Sequence, residues 1–494
     1  MNKTPIIFEV RDNSLDKEGE EGIVYLLRSD WDDFGYKTSF HVMLYRENEY
    51  TNIGTIKIGC LNEETYTSGF VDIPQNFSSL SREFVSLGQD IEFYINFKKY
   101  LGLENLCLLN DVIYNNQYLN LYDEENKIFS QSLNRFFSIS TFEQVKRLLN
   151  EESVFKGYEL SFIFRKTPMN FSVNKDSKVP SNLHAVIGSN GVGKTRLLDS
   201  IVKEFTTDLY SQLESEICEI SSSMGFSRLI YISTSIFSKI YGIDNNEEIN
   251  KKFHYVGFRR QEIVEEKIVN EIYTLDDIRK DTFKTIMNCE SRGRLKYLKI
   301  FSNNFAFDSK LKILIEEIIE YLDSIFFIGT DEKRAKNDEL LERIGELSSG
   351  HSIIIYMIFK IVSLVEEKSI VLMDEPETHL HPPLISAFIR SVNDILKKKN
   401  ALGIVATHSP VVLQEIPSEC IWKMYDHKVE RPTINTFGEN IGVITSEVFR
   451  LELDKTGFAN FVRNVNIKDL SSIKYFLGSE ALFEYYLRDD INEG

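Results

Sequence analysis

The sequence lacks the features of secreted, disulfide-bonded and membrane-spanning proteins. Its 494 residues include only five cysteines, and no two of them form a CxxC pair. An odd number of scattered cysteines argues against a disulfide framework and against a zinc site. The most apolar run, Ile353 to Val365, is interrupted by Lys360 and is shorter than the ~20 residues of a membrane span. Residues 1–16 have no signal-peptide pattern, so we expect a cytoplasmic protein that is not bound to a membrane.

Acidic residues outnumber basic ones, with 75 Asp and Glu against 57 Lys and Arg. The formal net charge is −18, which argues against a whole-molecule electrostatic grip on nucleic acid. Hydrophobic residues make up 42% of the chain, enough for a large core, and the length predicts two or three domains. Changes in the hydrophobic pattern along the chain predict three units. They are an α+β accessory domain at 1–155, an α/β domain at 156–430 and a mixed, then helical, region at 431–494. The α/β domain is predicted to contain a mainly helical insertion at about 240–345.

A glycine-rich loop follows the β-branched run Ala185 to Ile187. It has the pattern G-x-x-x-x-G-K-T of the P-loop, also called Walker A, and consists of Gly188, Ser189, Asn190, Gly191, Val192, Gly193, Lys194 and Thr195. Apolar residues at helical spacing come next, so the helix N-terminus would face a bound phosphate. We predict that Lys194 lies between the β- and γ-phosphates of ATP and that Thr195 binds Mg²⁺. Arg196 completes the predicted nucleotide-binding residues.

A second apolar strand, Ser369 to Met373, ends in the two acids Asp374 and Glu375. Asp374 is placed to hold Mg²⁺, and Glu375 is placed to polarise the water that attacks the γ-phosphate. An isolated pair of this kind is commonly a solvated turn, but the P-loop earlier in the chain favours the catalytic interpretation. The two motifs together predict an ATPase that requires Mg²⁺.

Three further segments resemble motifs of the ABC ATPase family. Leu347-Ser348-Ser349-Gly350-His351 is similar to the family signature LSGGQ. Ala406-Thr407-His408-Ser409 is similar to the segment of the switch histidine, and Pro376-Glu377-Thr378 takes the position of the D-loop. The order and compact spacing of these motifs make the resemblance specific, although no single one of the three is.

The resemblance implies an α/β fold, an ABC-type P-loop ATPase domain with a mixed, partly parallel sheet, and an ATP site shared by two copies. In such a site Ser348, Ser349 and Gly350 would reach the γ-phosphate bound to the opposite copy. His408 would contact the same phosphate and orient the water beside Glu375, so Lys194, Glu375 and His408 are the predicted catalytic residues. The expected assembly is a homodimer or a higher even-numbered oligomer.

Two features depart from the family pattern. In the signature, Ser349 stands where glycine is usual, and His351 stands where glutamine is usual. No clear glutamine follows the predicted strand at 229–232, where the family has its Q-loop. The matching place is near residues 233–235, which leaves the metal-sensing role of this loop open.

The run from Asp374 to Pro382 resembles the RecF-, OLD- and SMC-like ATPases of bacteria rather than transporter subunits. Residues 436–440 and 447–449 also look like ATPases of phage-defence operons, in particular the Septu-type ATPase, which works beside an HNH nuclease. This resemblance covers about 160–465. The histidines at 379 and 381 raise the alternative of a metal site, but no third ligand is evident and packing of the D-loop is favoured.

One basic segment interrupts the acidic background. Residues 278–312 contain nine Lys and Arg against three acids, with the interleaved aromatics Phe283, Tyr297, Phe301, Phe305 and Phe307. Charge and aromatic rings together are typical of nucleic-acid contacts, so one hypothesis is binding to DNA or to an acidic partner. A solvated helical face over a core explains the same composition at least as well.

The resemblance implies an ATP-driven sensor or regulator in a bacterial antiviral-defence complex. The residues after His408 lack the clustered acidic strand ends of a Toprim nuclease domain, so we expect the nuclease effector to be a separate protein. A DNA-repair or chromosome-maintenance ATPase of the RecF or SMC type is the first alternative. An ATP-binding subunit of a transporter is less favoured because of the N-terminal region and the insertion. A scaffold without turnover conflicts with the intact catalytic motifs.

Overall fold

The computed structural model of the chain describes residues 6–12, 14–16, 18–30, 32–62, 66–115, 127–134, 139–150, 157–174, 177–179, 181–206, 217–222, 226–235, 252–264, 267–290, 294–425, 428–453, 457–465, 472 and 474–486. Three larger sheets and two small hairpins account for the strands of these residues. Within this part of the chain, no helix combines the length and the apolar character needed to cross a membrane.

The N-terminal region is built on a six-stranded sheet. Its strands are β1 (Ile7–Arg11), β2 (Ile23–Arg28), β3 (Ser39–Arg46), β4 (Glu49–Cys60), β7 (Asn76–Phe77) and β8 (Phe84–Gly88), in the spatial order β7-β1-β2-β3-β4-β8. Only β1 and β2 pair in parallel among these neighbours, and β5 (Tyr66–Thr67) forms a separate hairpin with β6 (Phe70–Val71). The region adds helices α1 (Ile91–Tyr100) and α2 (Ile139–Leu149), a 3-10 helix (Leu103–Leu109) and a π-helical segment (Phe129–Leu133).

Both faces of this N-terminal sheet are buried. On β2, Val24 and Leu26 belong to the core of the N-terminal region, which also includes residues of α1 and α2. Tyr25 and Leu27 belong instead to the core shared with the helices of the second half of the chain. Successive side chains of a strand point to opposite faces, so the alternation places the sheet between two apolar layers.

The second half of the chain is organised around a seven-stranded sheet. Its strands are β11 (Leu183–Ile187), β13 (Arg228–Ser233), β14 (Phe253–Gly257), β17 (Ser369–Asp374), β18 (Leu402–Thr407), β19 (Ile421–Tyr425) and β20 (Lys428–Glu430), in the order β14-β13-β17-β18-β11-β19-β20. All neighbours pair in parallel except β19 and β20. β11, β13, β17 and β18 are buried along their whole length, as expected for parallel strands covered on both faces.

A three-stranded antiparallel sheet accompanies the seven-stranded one. It consists of β10 (Thr167–Val173), β9 (Tyr158–Phe164) and β12 (Ile217–Ser222), and a hairpin of β15 (Arg259–Val264) and β16 (Lys267–Ile272) follows β14. The fold is therefore of the α/β class, with a mixed sheet and a separate α+β N-terminal region, as predicted. The segment predicted as mainly helical at about 240–345 is helical only from Leu275 onwards, and residues 236–251 lie outside the described ones. β14 belongs to the central sheet because it pairs with β13, a contact that local periodicity does not reveal.

The helices cover the central sheet and extend beyond it. They are α3 (Lys194–Thr206), α4 (Leu275–Glu290), α5 (Leu295–Asn304), α6 (Ser309–Ser324), α7 (Thr330–Gly345), α8 (Ser349–Leu364), α9 (Pro382–Lys399), α10 (Pro410–Leu413), α11 (Ile441–Leu453), α12 (Gly457–Asn464) and α13 (Ser479–Tyr486), with 3-10 turns at Ser418–Cys420 and Lys474–Phe476. α8 contains all but the last residue of the apolar run from Ile353 to Val365, and most of its side chains are buried. We call the four helices α4 to α7 the helical insertion.

Among the described residues, the contacts that attach the N-terminal region to the rest of the chain include the following two sets. The Leu15 amide donates to the Phe326 carbonyl at 2.8 Å, just after α6, and the His41 ring packs 4.7 Å from the Phe326 ring. Burial lowers the pKa of His41 to about 4. In the second set, Arg147 of α2 donates to both carboxylate oxygens of buried Glu367 at 2.8 and 2.9 Å. Glu367 lies two residues before β17, so the N-terminal region contacts the base of the strand that carries Asp374.

Candidate active site

The glycine-rich loop joins β11 to α3 in the expected order of strand, loop and helix. Gly193 has a φ of +102°, a conformation that side chains with a Cβ rarely adopt. A Cβ on Gly188 would collide with the Met424 carbonyl of the neighbouring strand β19. The loop is therefore compatible only with glycine at these two positions, and its backbone lies at the N-terminus of α3, where a phosphate is favoured.

Lys194 and Thr195 are the first two residues of α3. The Lys194 ammonium is buried and donates to the carbonyls of Gly188 at 2.8 Å and Ser189 at 3.1 Å. The Thr195 hydroxyl donates to the two carboxylate oxygens of Asp374 at 3.2 and 3.1 Å. The loop thus holds its cation in place, and the hydroxyl reaches the acid that ends β17.

Asp374 lies in a poorly solvated position between two hydroxyl groups. Its pKa is raised to about 6, mainly by burial and also by the neighbouring charge of Glu375, while the hydrogen bond from Thr195 acts in the opposite direction. The Tyr231 hydroxyl on β13 also donates to the carboxylate, at 3.3 Å. A hydroxyl beside a carboxylate provides hard oxygen ligands, so Thr195 and Asp374 fit Mg²⁺.

Glu375 begins the turn after β17 in a strained conformation. Its φ of +48° is uncommon for a residue with a side chain, and two contacts hold the backbone there. Its amide donates to the Ala406 carbonyl at 2.9 Å, and its carbonyl accepts from the Thr234 hydroxyl at 3.0 Å. The carboxylate is partly exposed and lies 4.0 Å from the Lys194 ammonium. A partly solvated carboxylate beside the P-loop is a suitable position for a group that orients water.

His408 follows β18, the strand between the P-loop strand and the acidic strand. Its Nδ1 lies 3.6 Å from Oε1 of Glu375 and 3.4 Å from Oε1 of Glu377. The imidazole is half exposed, whereas Glu377 is 8% exposed at its side chain. Three adjacent strand ends, those of β17, β18 and β11, therefore bring the predicted catalytic residues into one cluster.

Glu377 is a candidate site residue that motif reasoning missed. Its Oε1 accepts from the Thr407 hydroxyl at 2.6 Å and from the His408 amide at 3.0 Å. Its Oε2 has no hydrogen-bond partner among the described residues. In the sequence, Glu377 lies in the segment that takes the position of the D-loop, and the resemblance gives it no chemical role. An acid two residues after Glu375 was the available signal.

Arg165 is a second residue that the motifs did not indicate. It lies in the tight turn between β9 and β10, where Arg165 and Lys166 both have positive φ, at +48° and +66°. Its guanidinium donates to the Val192 carbonyl of the P-loop at 2.8 Å and lies within 2.7 Å of the place where a Cβ of Gly193 would be. A hairpin turn with two basic residues is typical of the protein surface, so nothing in the sequence indicated this contact.

The segment expected at the Q-loop position also lies at this site. β13 pairs in register with β17, with Ser233 opposite Asp374. Thr234 follows directly and holds the Glu375 carbonyl. A threonine hydroxyl therefore contacts the Glu375 turn at the place where the ABC ATPase family has its glutamine loop.

The signature residues lie at the N-terminus of α8. Ser348 is the N-cap, its side chain accepts from the His351 amide at 3.4 Å, and both Ser348 and Ser349 are exposed. A Cβ on Gly350 would lie 3.1 Å from the carbonyl of His379, so the segment after Glu375 packs against the signature of the same chain. The exposed end of α8 presents hydroxyls and free amides, which suits an incoming anion.

Known proteins that are similar to this chain define its family. The chain is 31% identical over 484 residues to Protein ea59 of Escherichia phage lambda, a match that covers 92% of the chain and 91% of the phage protein. The chain belongs to the ea59 family. A second relative, Septu protein PtuA of Bacillus thuringiensis, is 26% identical over 272 residues, which covers 47% of the chain and 67% of PtuA.

The family described as "AAA domain, putative AbiEii toxin, Type IV TA system" matches residues 276–414 of this ea59 relative. Among solved structures, an ATP-binding cassette of an ABC transporter in its ADP conformation is similar over 60% of this chain and 98% of its own, with 13% identity and a TM-score of 0.28. The family match and the similarity to PtuA support an ABC-type AAA ATPase. The predicted resemblance to Septu-type ATPases is thereby confirmed.

The structure contradicts part of the hypothesis that the basic segment 278–312 contacts DNA. Tyr297, Phe301 and Phe305 are buried in the main core, so they are not available to stack on bases. Arg294 is also buried and donates to the Val362 carbonyl at 2.8 Å and to Glu366 at 3.3 Å. Tyr297 and Phe301 lie on the core face of α5, which explains their spacing, whereas Phe307 lies beyond this helix and is 53% exposed. Arg292 and the side chain of Lys296 lie outside the described residues, whereas Lys280, Lys284, Lys299 and Lys310 are exposed.

Proposed function

We propose that this ea59 relative binds Mg·ATP at the P-loop and hydrolyses it. The observation that carries the proposal is the convergence of Lys194, Asp374 and His408 at the ends of adjacent parallel strands. These residues come from three separate motifs, and a fold without a common site would have no reason to join them. The strained Glu375 turn between two hydrogen bonds adds to the support, because such strain is concentrated at functional sites.

Each residue has a role that its position supports. The loop Gly188–Arg196 would enclose the phosphates with its amides, and Lys194 would place its charge between the β- and γ-phosphates. Thr195 and Asp374 would hold Mg²⁺, which when bound supplies charge neutralisation at the phosphates. Glu375 would accept hydrogen bonds from the attacking water, and His408 would contact the γ-phosphate beside it.

Glu377 and Arg165 extend this site. We infer that Glu377 is a positioning residue for His408, because its Oε1 accepts from the His408 amide and lies 3.4 Å from the imidazole Nδ1. A buried acid that fixes an imidazole ring plays the same part in other catalytic groups. Arg165 would place its guanidinium against the bound nucleotide, since it already lies on the P-loop backbone.

We propose that the site is completed by a second copy of the chain. Ser348, Ser349 and Gly350 begin α8, and the two serines are exposed rather than covered by their own chain. In the ABC arrangement this end of the helix would meet the γ-phosphate held by the other copy. ATP would then join two copies, and hydrolysis would release them, in a homodimer or a higher even-numbered oligomer.

At the level of the cell, we propose a cytoplasmic sensor or regulator in an antiviral-defence complex with a separate nuclease effector. The similarity to Septu protein PtuA supports this assignment over part of the chain. The same proposal divides the chain into an accessory domain at residues 1–155, an ATPase unit at 156–430 and a final region at 431–494. A DNA-repair or chromosome-maintenance ATPase is the second candidate, favoured by the RecF- and SMC-like run that begins at Asp374.

The shared site can be tested with three variants and one control. Glu375→Gln should bind ATP without turnover and should form stable pairs, measured by light scattering after chromatography with Mg·ATP. Ser349→Arg should form pairs poorly and should hydrolyse ATP slowly. Glu332→Gln, on the exposed face of α7, should behave as wild type. Mixing Ser349→Arg with Lys194→Ala should restore part of the activity, because one intact composite site can form. Wild-type turnover by Glu375→Gln would refute the catalytic assignment.

The defence role needs a separate test. Cells that carry this gene with its chromosomal neighbours should form fewer phage plaques, and the Lys194→Ala variant should lose this protection. Survival after DNA damage should be unaffected by the same variant. The reverse pattern, with altered repair and unchanged plaque counts, would favour the second candidate.

A further inference from the structure

The signature of this chain contains a histidine that contacts the helical insertion. His351 stands where the related motif has glutamine, and its Nε2 lies 3.0 Å from Oδ2 of Asp308. Both side chains are largely buried, with 17% and 15% exposed. Asp308 is the N-cap of α6 and also accepts from the Leu311 amide at 3.1 Å. One carboxylate therefore fixes both the start of α6 and the ring at the start of α8.

A second contact reaches the same segment from another helix. Arg279 of α4 donates from Nη2 to the Leu347 carbonyl at 2.9 Å, one residue before the N-cap of α8. Farther along the two helices, Lys360 of α8 donates to Asp281 of α4 at 2.9 Å. The exposed serines of the signature are thus held from behind by two elements of the helical insertion, α4 and the start of α6.

This arrangement matters because the signature would act across a gap between two copies. An anion contact made by a helix N-terminus depends on donors placed within a few tenths of an ångström, and a displacement of 1 Å can cost about 10²-fold in rate. Since Ser348 and Ser349 are exposed, their position depends on the contacts that hold the backbone behind them. Asp308 accepts a hydrogen bond from the Nε2–H group of His351, and this bond fixes the orientation of the ring.

We propose that Asp308 and Arg279 are positioning residues that hold the signature for the ATP site of the opposite copy. Through His351 and Leu347 they couple the helical insertion, and with it the N-terminal sheet that contacts Phe326, to ATP-driven pairing. The inference rests on the shared site proposed above. It explains the histidine at position 351, where the related motif has glutamine, by the contact of this ring with Asp308 of the same chain.

The decisive variant is Asp308→Ser. Serine is a good N-cap, so α6 stays capped, but its side chain is too short to reach His351. We expect kcat of the otherwise wild-type chain to fall about tenfold, the effect of a displaced functional group. ATP-driven pairing, measured in the Glu375→Gln background, should fall by a similar factor. Nucleotide affinity, measured with a fluorescent ATP analogue on the unpaired chain, should stay within about twofold because the P-loop is untouched. Asp308→Asn keeps the cap through its one oxygen and presents its amide NH2 to His351, whose Nε2 accepts from it in the other tautomer, so this variant should retain most of the activity.

Two further comparisons separate positioning from a general loss of structure. Combined with His351→Ala, Asp308→Ser should add little, because both changes remove one contact. Arg279→Met should lower pairing in the same way, whereas Arg343→Met should not. Arg343 pairs with Glu317 at 2.7 Å within the same insertion. Unfolding temperatures of the variants should agree with that of the wild type.

The outcomes distinguish this inference from the proposal on which it rests. Wild-type kcat and pairing in Asp308→Ser, or losses that add fully in the double variant, would overturn the positioning role. If the Glu375→Gln chain with an intact Asp308 does not pair with ATP at all, the shared site fails and the inference fails with it. Reduced pairing with unchanged nucleotide affinity supports both.

Discussion

The charge on Asp374 should make the nucleotide-free protein less stable than a variant that lacks it. Burial raises the pKa of this carboxyl from 3.8 to about 6, so the folded chain holds the charged form at a cost. Replacing Asp374 with asparagine removes the charge and keeps an oxygen that accepts from Thr195. We therefore expect Asp374→Asn to stabilise the protein in the absence of nucleotide and metal while removing its function.

The size of the effect follows from the pKa shift. At about 1.4 kcal/mol per pKa unit, the shift corresponds to roughly 3 kcal/mol between the two protonation states. The asparagine amide must find its own acceptors, so we expect a gain of about 1–2 kcal/mol in the free energy of unfolding. That gain amounts to about 2–6 °C for a domain of ordinary size.

The pH dependence gives the prediction its sign. Because the folded pKa is raised, the folded protein binds more protons than the unfolded chain between pH 3.8 and about 6. The cost of the charge is absent below this window and complete above it, so wild-type stability falls as pH rises through it. The advantage of Asp374→Asn should be full at pH 7.5 and smaller by roughly 1.4 kcal/mol at pH 5, where only about half of the cost of the charge remains.

The measurement is urea and thermal unfolding in EDTA at both pH values. Asp338→Asn, which changes an exposed acid on α7, is the matched control and should stay within about 0.5 kcal/mol of the wild type. Adding Mg·ATP should reverse the order, because only the wild type gains stability from strong binding. A variant that is less stable than the wild type at pH 7.5 without ligand, or a difference that does not grow with pH, would refute the reasoning.

Three other variants probe separate contacts. Lys194→Ala should lose nucleotide binding, measured by fluorescence titration, because it removes the buried ammonium of the P-loop; affinity equal to that of the wild type would contradict its role. Glu377→Gln should lower kcat about tenfold and leave ATP affinity unchanged, since it weakens only the hold on His408; an unchanged kcat at every pH would argue against positioning. Arg147→Met should lower the free energy of unfolding by about 3 kcal/mol, because it leaves the buried carboxylate of Glu367 without its cation. Equal stability of this variant in urea would show that the contact contributes little.

The motifs could be recognised in the sequence because each of them is formed by residues that are adjacent in the chain. A P-loop needs glycine where the backbone turns with positive φ, and Gly193 meets that need with residues adjacent in the chain. The apolar strand before Asp374 and the apolar helix after Ser349 follow from hydrophobic patterning in the same way. These features, their order and the resemblance based on them could be recognised from the sequence alone.

The basic segment shows where composition was ambiguous. Its aromatic residues have helical spacing, and periodicity identifies one face of a helix without saying what covers that face. Tyr297 and Phe301 pack into the core because α5 lies between α6 and α9, a placement decided by distant parts of the chain. The same composition would have suited a stacking surface on an exposed helix.

The sequence by itself determined that this chain has a P-loop, an acidic strand and the other parts of an ABC-type ATPase site. Only the tertiary structure decided that β18 lies between β11 and β17, so that His408 meets Glu375 and Glu377. It also decided that Arg165 reaches the P-loop and that Asp308 reaches His351. The physical reason is that parallel strand order and side-chain contacts across elements depend on packing between residues far apart in the chain, which local spacing does not encode.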